Sequence, residues 1–131
     1  MDRYMQIAID EAKAARETGD FPYGAVLVRM GELIAVGRNR VNTQKDPTSH
    51  AEIDVLRVAG LQPNYADTVM YASAFPCLMC AGPIVFYGVP EIIAGASWDG
   101  YEVSRSFLES HGVKITVLEL EECRKLLREI P

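Results

Sequence analysis

Two short motifs of the chain carry residue types that bind metal ions and move protons. His50 and Glu52 stand two positions apart, and Pro76 is followed by the pair Cys77 and Cys80. A His-x-Glu pattern is common by chance, whereas Pro-Cys-x-x-Cys is rare. At average residue usage, both motifs in this order and about 25 residues apart should occur in roughly one chain in a thousand or fewer. We therefore expect the two motifs to form one chemical site.

The side chains of these motifs suit a catalytic zinc site. Zn²⁺ prefers thiolate and imidazole ligands, and a catalytic site supplies three protein ligands and leaves a fourth position for water. His50, Cys77 and Cys80 are three such ligands, and the spacing of the cysteines puts both sulfurs on one side of a helical turn. The start of a helix also favours thiolates through the helix dipole. The sequence thus predicts one catalytic Zn²⁺ per chain.

Glu52 is placed to act beside the metal without being a ligand. A carboxylate there can take a proton from the activated water and hand it to a substrate nitrogen, first as general base and then as general acid. Such a site attacks an electrophilic carbon that carries an amino group, and it releases ammonia. The sequence therefore predicts a hydrolytic deaminase with Glu52 as its catalytic residue.

Simpler roles for the same residues stay open from sequence alone. Ser49 and Glu52 fit a capping box, in which the glutamate only satisfies a backbone N–H. The cysteine pair could belong to a redox dithiol, or to a structural zinc site with a fourth ligand from His111 or Cys123. Cys123 itself fits a small core residue of the last helix. If the zinc site is structural, the protein would be a non-catalytic subunit stabilised by zinc and not an enzyme.

Alternating helices and strands are expected to position the motifs. The predicted helices cover about 2–18, 49–59, 77–87 and 121–130, and the predicted strands 25–28, 33–36, 68–72, 91–95 and 113–118, with a short helix before the last strand and a polar loop at 39–47. This order is typical of a three-layer α/β/α sandwich around one mixed five-stranded sheet. The apolar stretches 69–72 and 92–94 lack polar alternation, as expected when helices cover both faces.

Length, composition and charge narrow the class of protein. A chain of 131 residues, 49% hydrophobic and 24% charged, predicts a single globular domain over residues 1–131. The sequence shows no apolar run long enough for a membrane span and no signal-peptide layout at its start, so we expect a cytoplasmic protein without a membrane partner. Its net charge of −5 makes nucleic acid an unlikely partner, because nucleic-acid binding depends on cationic contacts to phosphates.

The two motifs resemble the signature of a known family. His50-Ala51-Glu52 together with Pro76-Cys77-Leu78-Met79-Cys80 is similar to that of the zinc-dependent nucleobase and nucleoside deaminase superfamily. Other segments extend the likeness over nearly the whole chain. They are residues 22–26 (the family's first strand), 37–39 (its base-binding loop), 46–52 (as in guanine and tRNA adenosine deaminases), and 82–90 with 100–130 (as in fungal-type cytosine deaminase).

The resemblance implies roles for further residues. Asn39 matches an asparagine whose amide holds the base, and Tyr23 matches a residue that lines the pocket. The backbone N–H groups of Ala51 and Cys77 match donors to a ring carbonyl. The family fold is the α/β/α sandwich, commonly assembled as a homodimer or a larger homo-oligomer. From the residues alone, Asn39 could instead cap a turn, and Tyr23 could be a core aromatic.

Three features depart from the family pattern. Phe75 precedes Pro76 where the family has Ser or Glu, which replaces a polar substrate contact by an apolar or stacking one. Pro83 lies inside the third predicted helix and predicts a kink there. The sequence ends before the C-terminal extension with which fungal cytosine deaminases cover the base. Trp98 and Asp99, after the fourth strand, are candidates to replace it, although Trp98 fits a core or interface aromatic equally well.

These observations together predict zinc-dependent deamination of a small free nucleobase, cytosine to uracil, as in pyrimidine salvage. The first alternative is guanine or a related aminated heterocycle, and the next is adenosine in tRNA. The predicted partners are the free base and further copies of this chain. The predicted substrate contacts are Asn39, Tyr23, Ala51, Phe75 and Trp98.

Overall fold

A mixed sheet of five strands lies at the centre of the fold in the computed structural model, which describes residues 2–130. The strands are β1 (Gly24–Arg29), β2 (Glu32–Arg38), β3 (Thr68–Ala72), β4 (Glu91–Ala94) and β5 (Lys114–Val117), in the spatial order β2-β1-β3-β4-β5. β1 runs antiparallel to β2 and β3, while β3, β4 and β5 are parallel to one another. The predicted mixed five-stranded sheet is confirmed.

Helices cover both faces of the sheet. They are α1 (Arg3–Glu17), α2 (Val41–Gln44), α3 (Ala51–Ala59), α4 (Leu78–Tyr87), α5 (Glu102–Ser110) and α6 (Glu121–Arg128). Val26 and Val28 of β1 pack in a core with α1 and α6, whereas Ala25 and Leu27 pack in a second core with α3, α4 and α5. Successive side chains of a strand point to opposite faces, so β1 contributes to both cores. The predicted three-layer sandwich is confirmed.

Strand β2 and helix α3 approach each other unusually closely at Gly37. A Cβ atom on Gly37 would lie 2.5 Å from the backbone nitrogen of Val55 and 2.8 Å from the carbonyl oxygen of Ala51. Only glycine avoids these clashes, because it has no Cβ. The absence of that side chain therefore sets the position of α3, whose first turn carries His50 and Glu52.

Two local details differ from the predicted elements. The polar loop expected at 39–47 contains the one-turn helix α2, which the sequence pattern does not reveal. Ser49 does not form the capping box with Glu52, because its hydroxyl bonds to the side chain of Gln44. Pro83 lies inside helix α4, as predicted, and the kink expected there stays a prediction. Cys123 is buried against the sheet, which confirms its predicted role as a core residue.

None of the helices within residues 2–130 combines the length and the apolar character that a membrane span requires. The cytoplasmic location and the single domain stay predictions.

Candidate active site

The two sequence motifs meet where two helices begin. His50 is the N-cap residue of α3 and Cys77 is the N-cap residue of α4, and neither side chain caps its own helix. Both side chains are therefore free for another partner. Because the first N–H groups of a helix lack acceptors within the helix, the two helix starts also make the site electropositive.

The three predicted ligands have the geometry of a tetrahedral zinc site. Nδ1 of His50 lies 3.5 Å from Sγ of Cys77 and 3.5 Å from Sγ of Cys80, and the two sulfurs are 3.7 Å apart. Zinc bonds of about 2.3 Å to sulfur and about 2.05 Å to nitrogen, at tetrahedral angles, require separations of roughly 3.6 Å and 3.8 Å. The donor set and its spacing thus fit Zn²⁺ without rearrangement.

A structural zinc site, one of the alternatives for the cysteine pair, does not agree with this geometry. Within residues 2–130, no fourth His, Cys, Asp or Glu joins His50, Cys77 and Cys80 in a cluster of possible ligands. His111 is exposed, and its Nδ1 contacts the carbonyl of Phe107. The cysteines are free thiols. Three protein donors with one open position are typical of a catalytic zinc site and not of a structural one.

Hydrogen bonding prepares one of the three donors, Cys77, for a cation. The hydrogen bond with Cys80 lowers the pKa of Cys77 to about 4, and the contact with His50 acts in the same direction. The shared hydrogen bond and burial raise the pKa of Cys80. The hydrogen bond with Cys77 also raises the pKa of His50, against the effect of burial. Metal ligands bind in their deprotonated forms, so these shifts favour metal binding at Cys77 and oppose it at Cys80 and His50.

Glu52 lies next to these donors but is not one of them. Its side chain is buried, with 6% of the residue exposed. Burial raises its pKa to about 7, and the charge of the Cys77 sulfur adds to that shift. Glu52 does not take part in a capping box, so that simpler role does not explain its placement.

A cavity of about 250 Å³ opens at this site. Six predicted site residues and one residue that the sequence did not indicate line its walls. The seven lining residues are Tyr23, His50, Glu52, Ala74, Phe75, Cys77 and Trp98. The unexpected residue is Ala74, and a small apolar side chain gives no chemical signal that could have revealed it. The pKa of Tyr23 is raised mainly by burial, and the nearby negative charges of Glu52 and Cys77 raise it further.

Three predicted site residues do not form the walls of the cavity. Cys80 and Ala51 are fully buried behind it. Asn39 is also buried, its backbone N–H bonds to the carbonyl of Tyr23, and its Oδ1 accepts from the N–H of Val41. Asn39 thus caps a turn, which is the simpler of the two roles predicted for it. Its contact with a substrate stays a prediction.

The aromatic residues Phe75 and Trp98 are held together at the cavity. The indole N–H of Trp98 donates to the backbone carbonyl of Phe75 at 2.7 Å. The ring of Phe75 makes an edge-to-face contact with Tyr101, with centroids 5.1 Å apart. Asp99 is exposed and does not line the cavity. Of Trp98 and Asp99, only Trp98 is part of the cavity wall.

Comparison with known proteins agrees with this geometry. The zinc-binding region that describes cytidine and deoxycytidylate deaminases matches residues 1–96. The chain belongs to this deaminase family. Membership confirms the predicted superfamily. The matched region is a zinc-binding region, and His50, Cys77 and Cys80 form a possible metal site within it, which confirms zinc as the predicted cofactor.

Relatives within the deaminase family include tRNA-specific enzymes. The tRNA-specific adenosine deaminase of Buchnera aphidicola is 37% identical over 134 residues, covering 95% of this chain and 89% of the relative. A solved structure from a study of A-to-I editing by tRNA:A34 deaminases superposes with a TM-score of 0.85 at 31% identity, covering 95% of this chain and 98% of that one. The guanine deaminase of Nitrosomonas europaea superposes with a TM-score of 0.81 at 25% identity, covering 96% and 81%.

These relatives overturn the predicted substrate and partners of this deaminase. The prediction of a cytosine deaminase of pyrimidine salvage, which acts on a small free base and does not bind nucleic acid, is wrong. One source of the error is that no residue of 82–90 or 100–130, the segments similar to cytosine deaminases, lines the cavity. The other source of the error is the inference from net charge. Net charge is a sum over the whole surface, whereas an RNA contacts only part of that surface. The homo-oligomer stays a prediction.

Proposed function

We propose that this deaminase acts on adenosine in tRNA, at the first position of the anticodon. Adenosine and water are converted to inosine and ammonia. The observation that carries the proposal is the similarity to a tRNA-specific adenosine deaminase over 95% of the chain. It is supported by a superposition on a tRNA:A34 deaminase that covers nearly all of both chains.

The dimensions of the cavity restrict how an RNA can enter. About 250 Å³ is less than the roughly 300–1,000 Å³ of sites for drug-sized ligands. It suits one ring system and not a nucleotide chain. The target adenosine must therefore leave the base stack and insert its base alone, which a single-stranded loop permits at low cost.

The proposed chemistry divides between the metal ligands and Glu52. His50, Cys77 and Cys80 would hold Zn²⁺, which supplies the activation of water for attack near neutral pH. Glu52 accepts the proton of the attacking water at its carboxylate. That proton passes to N1 as the water oxygen bonds to C6, and the second proton of the same oxygen then passes through Glu52 to the amino nitrogen. The C6–N bond breaks, ammonia leaves, and C6 keeps a carbonyl.

The other residues of the site orient the base. In this proposal the side-chain amide of Asn39 and the backbone N–H groups of Ala51 and Cys77 bond to the ring. Phe75 and Trp98 contact its faces, since aromatic side chains stack with any base. Phe75 thereby replaces a polar contact of other family members with an apolar one.

The test is a substrate comparison with zinc-loaded protein. One tRNA transcript carries adenosine at the first anticodon position, and a matched transcript carries guanosine there. Nucleoside analysis by mass spectrometry should find inosine only in the first, together with an equal amount of ammonia. Glu52→Ala should retain zinc and lose this activity, because the substitution removes only the proton carrier.

Free bases complete the experiment. Guanine is the informative one, because guanine deaminases share the fold. We expect ammonia from tRNA and none from guanine, cytosine or adenine at equal concentrations. Turnover of a free base with no inosine in the tRNA would contradict the proposed function.

A further inference from the structure

The segment that carries Trp98 is fixed on both sides. We call residues 95–101, between β4 and α5, the tryptophan loop. Trp98 is half-buried and is the residue of this loop that lines the cavity. The position of its indole ring therefore depends on what holds the loop.

On one side, the tryptophan loop is bonded to the segment that leads to Cys77. The backbone N–H of Phe75 donates to the carbonyl of Ala96 at 2.8 Å, and the indole of Trp98 donates back to the carbonyl of Phe75 at 2.7 Å. The hydroxyl of Ser104, at the start of α5, donates to the carbonyl of Pro76 at 2.8 Å. These bonds join the loop to the backbone of the metal site.

On the other side, the segment at Glu119 holds the tryptophan loop through one backbone bond, from the N–H of Leu120 to the carbonyl of Gly95 at 2.8 Å, and through the carboxylate of Glu119. Oε1 of Glu119 accepts the backbone N–H of Ser97 at 2.7 Å, and Oε2 accepts the hydroxyl of Ser97 at 2.8 Å. Arg124 contacts the same carboxylate at 3.1 Å. The two bonds with Ser97 hold the pKa of Glu119 below its usual range. Hydrogen bonds to a charged acceptor are stronger than neutral ones.

The backbone at Glu119 is adapted to this contact. Its φ of +52° lies in the left-handed region, which a residue with a side chain adopts only at a cost. Glycine would fit this conformation better. Glu119 is exposed, and its polar contacts are with the tryptophan loop and Arg124. The residue type is therefore explained by its contact with Ser97 and not by the local backbone.

We propose that Glu119 is a positioning residue of the active site: by binding both polar groups of Ser97, it holds the indole of Trp98 in the cavity wall where the substrate base stacks. The role in substrate binding rests on the proposed function. The contact with the loop does not. Glu119 lies 39 residues along the chain after Cys80, the last residue of the two motifs, so sequence spacing does not connect it with them.

The single tryptophan of the chain reports directly on this role. The test variant is Glu119→Gly, which removes the carboxylate and also relieves the left-handed backbone. Its melting temperature should stay close to that of the wild type, because relief of the left-handed backbone offsets part of the loss of the hydrogen bonds. Its tryptophan emission should shift to the red and be quenched more strongly by acrylamide, because the indole becomes more exposed to water. Glu119→Gln keeps one acceptor oxygen and should show a smaller change.

Glu121→Ala is the matched control. Glu121 is an exposed glutamate two residues away that pairs with Arg128 and has no contact with the loop. This variant should keep the wild-type emission and quenching. Wild-type emission and quenching in Glu119→Gly would overturn the proposal, since the loop would then hold its position without the carboxylate.

Kinetics separate a positioning role from a purely structural one. For the tRNA substrate, Glu119→Gly should raise KM by about three- to tenfold, as expected for the loss of one or two hydrogen bonds, and leave kcat within about twofold. A lower kcat at unchanged KM would contradict the role in binding. If the wild type forms no inosine in tRNA, the proposed function fails, and the fluorescence comparison still decides the role of Glu119.

Discussion

Asp20 accepts two hydrogen bonds from Thr43, one from its backbone N–H and one from its hydroxyl, each 2.9 Å long. The same carboxylate accepts the N–H of Asn42 at 2.8 Å. These N–H groups belong to the first turn of α2, and the residue before the helix, Arg40, makes no side-chain capping bond. A residue 20 positions earlier thus caps α2 and holds the segment that follows Asn39.

Asp20 should make the stability of the protein depend on acid pH. Burial alone would raise its pKa, but the hydrogen bonds from Thr43, Thr18 and Asn42 together hold the pKa below its usual value. A group with a lowered folded-state pKa stabilises the fold above its unfolded pKa, about 3.9, and this contribution is lost as the pH falls through the folded-state pKa. Asp20→Asn should cost about 1–2 kcal/mol at pH 7.

Urea unfolding between pH 7 and pH 3 measures this effect. The difference between the wild type and Asp20→Asn should be constant above about pH 5 and shrink below about pH 4. Asp99→Asn removes an exposed carboxylate of the tryptophan loop and should follow the wild type. A difference that stays the same down to pH 3 would show that the charge of Asp20 does not contribute.

The zinc ligands were predictable from sequence, whereas the residues that position the site were not. Histidine and paired cysteines have few joint roles, so His50, Cys77 and Cys80 identify a metal site by type and spacing. Asp20 and Glu119 are ordinary acidic residues until the fold brings α2 and the tryptophan loop beside them. Their partners lie more than 20 residues away along the chain, and no local pattern records such a contact.

The substrate was the least predictable feature. The strands and most helices follow from hydrophobic spacing, because burial on a sheet or helix face repeats along the chain. The choice between a free base and an RNA depends on the cavity wall and the surface around it. Ala74 and Phe75 in that wall have no distinctive spacing, and the segments most like cytosine deaminases lie in the framework.

Loss of one sulfur should abolish zinc binding. Cys80→Ser leaves two strong donors, and zinc sites with fewer than three protein ligands are weak. The zinc content after dialysis against a mild chelator should fall from about one per chain to a small fraction, as measured by mass spectrometry of the metal. Cys123→Ala is the control, because Cys123 is buried in the other core. It should keep its zinc, and zinc loss in both variants would argue against the assigned ligands.

A second buried carboxylate, Asp54, should contribute strongly to stability. Oδ2 of Asp54 accepts the backbone N–H of Arg38 at 3.0 Å and the guanidinium of Arg40 at 3.1 Å, which joins both neighbours of Asn39 to α3. Asp54 is 4% exposed, so its removal leaves a backbone donor without its partner. Asp54→Ala should cost about 1–3 kcal/mol in urea unfolding.

The matched variant for Asp54 is Asp67→Ala. Asp67 also accepts from an arginine, Arg29, at 2.8 Å, but it lies at the surface. Exposed ion pairs contribute little, because water and salt screen them. We expect this variant to unfold at nearly the wild-type urea concentration. Equal losses for the two aspartates would mean that burial of Asp54 does not determine its contribution.

Replacing Gly37 by alanine should move the helix that begins the metal site. The new Cβ would lie 2.5 Å from the backbone nitrogen of Val55 in α3, and backbone atoms cannot move aside as a flexible side chain can. We expect a loss of about 1–3 kcal/mol, typical of overpacking, and weaker zinc binding in competition with a chromogenic chelator. Gly82→Ala is the control, because a Cβ on Gly82 meets no atom within 4 Å. It should leave zinc affinity unchanged, and equal zinc affinities in both variants would show that the spacing between β2 and α3 does not control the site.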